Sequence, residues 1–125
     1  MEKERVKQLM TQADATLDLA SEERMKPEED VVHYSICHNS RLSIRMYLIS
    51  YLLKHQVQPD KNESIMDLLK RCAEIDDRFS KVDISEVECR SSSANNNVEY
   101  CLSLGKVSSC FDAASKIKNL IYDLD

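Results

Sequence analysis

A single glycine, Gly105, stands in a chain of 125 residues. Ordinary soluble proteins use about 7% glycine. Glycine supplies the positive φ that tight hairpins and bulges need, so a many-turned β architecture is nearly excluded. The same scarcity rules out glycine-rich phosphate loops. Neither a P-loop nor a dinucleotide fingerprint can be written around one glycine. With 42% apolar and 31% charged residues, the chain has the balance of a soluble globular protein. One domain, residues 1–125, buries a core at this length without disulfides or metal.

Apolar periodicity fills in the helices. Val6, Met10, Ala13, Leu17 and Ala20 recur at steps of three and four, which predicts a helix near 2–23. Pro27, followed by Glu28, Glu29 and Asp30, reads as the first turn of a second helix, because proline is tolerated there and acids suit the positive helix end. That helix runs to about 55, with Leu42, Ile49 and Leu53 on one face and Ile44, Leu48 and Leu52 widening it. Ser35, Ser40, Ser43 and Ser50 allow close neighbours, and Pro59 lies beyond its end. A third helix is expected near 63–76, capped by Asn62 or Ser64, with Ile65, Leu68, Leu69, Cys72 and Ile75 inward. Phe79, Val82 and Ile84 anchor a connector, with a short helical turn near 84–89. The run Arg90 to Asn97 is polar and aperiodic and reads as a loop. A last helix near 103–124, with Ser103 as its cap, carries Val107, Cys110, Phe111, Ala114, Ile117, Leu120 and Ile121 on one stripe. The expected fold class is all-α, an up-and-down bundle of four to five helices.

Charge is unevenly spread. The net charge is −5, which disfavours general nucleic-acid binding. Yet no Asp or Glu occurs between Val31 and Pro59, where Arg41, Arg45, Lys54 and all three histidines (His33, His38 and His55) lie. The alternatives are a mostly buried central helix and a basic strip that meets an acidic partner or polyanion. The five cysteines (Cys37, Cys72, Cys89, Cys101 and Cys110) form no C-x-x-C pair. With a charged start rather than an apolar leader, they read as buried thiols of a cytoplasmic protein. His33 and Cys37 are one helical turn apart, but no second ligand pair stands at metal-binding spacing. Neither metal nor cofactor is expected, and no apolar run has the length of a membrane span. Tyr34, Met46, Tyr47 and Tyr51 ring the long helix, which suggests an apolar face covered by a second copy.

Longer patterns carry a resemblance. Asn39-Ser40-Arg41-Leu42-Ser43-Ile44-Arg45-Met46-Tyr47-Leu48 continues to Leu53-Lys54. A loop with Pro59 and the run Ser64-Ile65-Met66-Asp67-Leu68-Leu69 follow. Tyr100-Cys101-Leu102-Ser103 then precedes the last amphipathic helix. This order is similar to prokaryotic HEPN-domain proteins, and Leu9, Ala13, Leu17 and Ala20 match the apolar spacing of that family's first helix. The resemblance implies a helical bundle, commonly a homodimer. Some members are ribonucleases, toxins paired with a nucleotidyltransferase-like antitoxin, marked by Arg, four to six residues, then His. Others are non-catalytic binding modules. Here no Arg precedes a His at that spacing, and no His follows His55. At the position of Arg90 the spacing leads to Asn95, Asn96 or Asn97, which hydrogen-bond but do not transfer protons near neutral pH. The resemblance therefore implies a non-catalytic HEPN-like module that binds a protein partner or a nucleotide-like, anionic ligand. The alternatives are a ribonuclease with a degenerate site and an unrelated helical scaffold. Candidate binding residues are Arg41, Arg45, Arg90, Asn95, Asn96 and Tyr100, with no catalytic residue assigned.

Overall fold

The computed structural model describes residues 2–27, 33–59, 63–82 and 104–124. Within them the chain forms four α-helices: α1 (Glu2–Arg24), α2 (His33–Lys54), α3 (Ile65–Ile75) and α4 (Leu104–Leu124). A 3₁₀ turn, Asp77–Lys81, follows α3. There is no strand among the described residues. The all-α expectation holds, and the helices pack as a bundle. No helix of the described chain is long and apolar enough to cross a membrane.

α2 is the hub. Its buried residues include Ile36, Cys37, Ile44, Tyr47, Leu48, Tyr51, Leu52 and Leu53, spread over most of the helix circumference. α1, α3 and α4 all pack against it. Ser50 Oγ of α2 lies 3.1 Å from Met10 Sδ of α1, and Tyr47 bonds Asp14, so the two helices run antiparallel. α4 runs antiparallel to α1: the Arg24 guanidinium stacks 4.2 Å from the centre of the Phe111 ring, and Asp14 meets Tyr122. α2 and α4 consequently run in the same direction. Cys37 touches Cys110 near their N-terminal ends.

α3 crosses α2 rather than running back along it. Its N-terminal approach lies against Arg45, whose Nη1 donates to the Glu63 carbonyl at 2.5 Å. One turn along α2, Cys72 Sγ meets the Leu48 carbonyl at 3.7 Å. Another turn on, the Phe79 ring packs 4.8 Å from Tyr51.

The helix ends show local rules at work. Ser64, one of two expected caps, accepts from the Asp67 N–H at 3.1 Å. Asp76 closes α3 and opens the 3₁₀ turn, where its carboxylate accepts from the Arg78 N–H at 2.9 Å. The Arg78 guanidinium also holds the Asp76 carboxyl below its ordinary range. Pro27 lies outside any helix and α2 begins at His33, so the expected start at Pro27 is corrected for Pro27 itself. The expected turn near 84–89, Ile84 and the Ser103 cap lie outside the described residues.

Two assignments of the long helix also change. Leu42, placed on the core face, is 37% exposed, whereas Ile49 packs against the core while partly buried and Leu53 is buried as expected. The core lies on the Ile44, Leu48 and Leu52 side. Tyr47 and Tyr51 face the interior of their own chain, so they offer no surface to a second copy. On α3, Ile75 is 37% exposed although its spacing placed it inward.

α2 ends without glycine. The Gln56 N–H bonds the Leu53 carbonyl at 2.9 Å, and the Val57 N–H bonds the Leu52 carbonyl at 2.8 Å. This is a Schellman closure, and it places Gln56 at φ 63°, the left-handed position that glycine usually fills. Val57 packs against the core beside it. Gln56→Gly relieves the Cβ clash and raises stability by about 0.5–1 kcal/mol, net of the extra entropy glycine adds to the unfolded chain. Gln56→Val, with a branched Cβ at positive φ, lowers it by about 1–2 kcal/mol. Urea titration of both variants reads the difference, and a glycine variant less stable than wild type would contradict the strain.

Candidate functional site

Of the six residues expected to bind, the structure describes two. Arg41 and Arg45 lie one turn apart on the same side of α2, both half-buried. Arg90, Asn95, Asn96 and Tyr100 lie outside the described residues. Arg45 has structural work: its bond to the Glu63 carbonyl ties α2 to the approach of α3. The Glu63 carboxylate in turn accepts from Arg71 Nε at 2.6 Å. Around the two arginines, the exposed residues His38 and Leu42 extend the same side of α2, and Lys54 and His55 stand exposed at its C-terminal end.

A second polar cluster joins three helices at one carboxylate. Asp14 of α1 accepts the Tyr47 hydroxyl of α2 on Oδ1 and the Tyr122 hydroxyl of α4 on Oδ2, the latter at 2.6 Å. Lys118 Nζ stands 4.0 Å from Oδ1. Tyr47 is fully buried, and Tyr122 is 46% exposed. Burial, then the hydrogen bond to Asp14, pushes the Tyr47 phenol far above its ordinary value of 10.0. The bond to Asp14, then burial, pushes Tyr122 up to about 12. Neither phenol ionises near neutral pH, so the cluster is a three-helix clasp rather than an acid–base device. The sequence carried one signal of it. Asp14 stands four residues after Met10 and three before Leu17, so a carboxylate adjoins the apolar stripe of α1.

The described thiols lie inside the bundle. Cys37, Cys72 and Cys110 are buried thiols. Burial pushes Cys72 up to about 12, and its sulfur faces the Leu48 carbonyl. Cys37, one member of the His33/Cys37 half-site, contacts Cys110 Sγ at 3.6 Å. Among the described residues no group of three or more His, Cys, Asp or Glu is placed to hold a metal. His55 lies with its ring 4.6 Å from Tyr51.

Comparison with protein-family models, curated proteins and solved structures finds no match for the chain.

The clasp predicts an ordered set of losses. Asp14→Ala strands the buried Tyr47 hydroxyl and costs about 2–3 kcal/mol. Tyr47→Phe removes donor and demand together and leaves Asp14 access to water, at about 1 kcal/mol. Tyr122→Phe, on the wet side, costs less than either. Urea unfolding at pH 7 reads all three, and equal losses for Asp14→Ala and Tyr122→Phe would contradict the geometry.

Alkali tests the same clasp. A phenol kept protonated by the fold contributes stability in full below pH 10. That contribution is lost as pH rises from 10 through 12, because the unfolded chain releases its proton first. The Cys72 thiol adds a loss of the same sign from pH 9. Stability should therefore fall steeply between pH 10 and 12 and fall less in the Tyr47→Phe, Tyr122→Phe double variant. Parallel curves for the two proteins would assign the alkaline loss elsewhere.

Proposed function

We propose that this chain is a non-catalytic, HEPN-like helical module. It acts as a homodimer and binds a protein partner or a nucleotide-like, anionic ligand through the cationic side of α2. The observation that carries the reading is charge segregation at positions the core does not dictate. His38, Lys54 and His55 are exposed and Arg41 is half-buried, while the segment from Val31 to Pro59 holds no acid in a chain of net charge −5. A guanidinium stays charged at all physiological pH and grips a carboxylate or phosphate with two hydrogen bonds. The reading is also supported by what the polar interior does: Asp14, Tyr47 and Tyr122 hold helices together.

Binding of a fluorescent nucleotide and of an acidic peptide, followed by anisotropy against salt, tests this function. Binding that weakens with salt, and weakens at least about tenfold in Arg41→Glu, is the expected result. No cleavage of single-stranded RNA is expected. Light scattering should give twice the 14.4 kDa chain mass. RNA cleavage abolished by Arg90→Ala would overturn the non-catalytic reading. Every detected interaction surviving both Arg41→Glu and Arg90→Ala would overturn the site.

A further inference from the structure

We infer that Cys37 and Cys110 form a reversible dithiol–disulfide site that a hydroperoxide oxidises, locking α2 to α4. The two sulfurs are 3.6 Å apart, on different helices, 73 residues apart in sequence. Both residues are buried, Cys37 at 1% and Cys110 at 0% exposure. A disulfide needs its Cα atoms about 4.4–6.8 Å apart and its sulfurs about 1.5 Å closer than here. Helices packed about 8–10 Å apart, with Cα radii near 2.3 Å, bring facing Cα atoms to about 3.4–5.4 Å, which overlaps the disulfide range. The seam provides that approach, because Ser40 follows Cys37 on α2 while Ala113 and Ala114 follow Cys110 on α4, all of them small and buried.

The chemistry balances with hydrogen peroxide as the oxidant. One sulfur, as thiolate, attacks a peroxide oxygen. The O–O bond breaks, the departing hydroxide takes up a proton to leave as water, and the sulfur becomes a sulfenic acid. The second sulfur, as thiolate, attacks the first. The S–O bond breaks, a second water leaves, and the S–S bond forms. Two thiols and one peroxide give one disulfide and two waters, and an added dithiol reverses the change. Burial makes the first attack depend on local opening of the seam, so oxidation is slower than at a solvent-exposed thiol.

The pairing is one that only the fold selects. In an unfolded chain, loop closure favours near neighbours, and Cys101 lies nine residues from Cys110. The test is peroxide treatment of the reduced, full-length protein, then denaturing alkylation, trypsin and mass spectrometry without reductant. Trypsin isolates Cys37 in Met25–Arg41, because the Lys26–Pro27 bond resists cleavage, and Cys110 in Val107–Lys116. These two peptides should appear joined, about 2 Da below their summed mass, and separate on dithiothreitol. The oxidised protein should melt roughly 8–15 °C higher than the reduced one. Cys110→Ala should lose both effects. A native digest in which Cys110 is joined mainly to Cys101, as in protein oxidised in concentrated guanidinium chloride, would overturn the assignment. So would full alkylation of Cys37 and Cys110 after other thiols are consumed.

Discussion

The hydroxyl of Tyr47 sits inside the bundle, and a buried hydroxyl without a partner is costly. Asp14 is that partner. The bond fixes the rotation of α1 about α2, and the second oxygen of the same carboxylate does so for α4 through Tyr122. Once α1 is antiparallel to both neighbours, α2 and α4 must share a direction. The contact of Cys37 with Cys110, and that of Arg24 with Phe111 at the same end, follow from this arrangement. The apolar stripes alone tolerate small rotations and slides, whereas one carboxylate between two phenols does not.

Serines let the helices come close enough for that bond. Ser43 Oγ donates to the Ser40 carbonyl and Ser50 Oγ to the Tyr47 carbonyl, each at 2.7 Å. Bonded within their own helix, these hydroxyls are buried at low cost, and Ser50 Oγ also reaches Met10 Sδ of α1. Thr16 does the same on α1 by bonding the Gln12 carbonyl at 2.7 Å. Serine and threonine are mediocre helix formers, so α2 gives up some local preference for a narrow seam. Stability then comes from packing rather than propensity, which suits a helix surrounded on three sides.

Helix existence was legible because each long stripe is a simple period of three and four, and Ala13, Leu17, Ala20, Cys110, Ala114, Ile117 and Ile121 are buried as that period demands. Ser64 was legible because a cap is a local property. The face of α2 was harder to read. A helix apolar over most of its circumference has several stripes, and Leu42 was assigned inward although the neighbours cover the Ile44–Leu48–Leu52 side. The clasp was hidden because it joins residues 33 and 108 positions apart, which no window along the chain brings together. The crossing of α3 was hidden for a related reason. It depends on Arg45 reaching the Glu63 carbonyl and Cys72 meeting Leu48, not on the amphipathic pattern of α3 itself. Of the candidate site, Arg41 and Arg45 were legible as a same-face pair, but the part Arg45 plays in holding Glu63 was not.

The absence of acids from α2 has a structural and a functional explanation, and position separates them. At buried positions an acid would need a partner, so selection for folding alone removes it. That accounts for Ile36, Ile44, Leu48 and Leu52, and the helix dipole favours Lys54 and His55 at the C-terminal end, but neither accounts for the exposed His38. Away from the C-terminal end, an exposed acid costs the fold little. In the first turn of a helix it is favourable against the dipole, yet the first turn of α2 contains none. The acids stand on other elements, among them Asp14 and Asp18 on α1 and Asp67 and Glu74 on α3. Folding therefore explains where the positive charges are permitted, while the exclusion of negative charge from exposed positions calls for a selective pressure from outside the core. The proposed binding of an anionic ligand or an acidic partner would exert that pressure, and the proposed face is therefore placed on α2 rather than on the clasp.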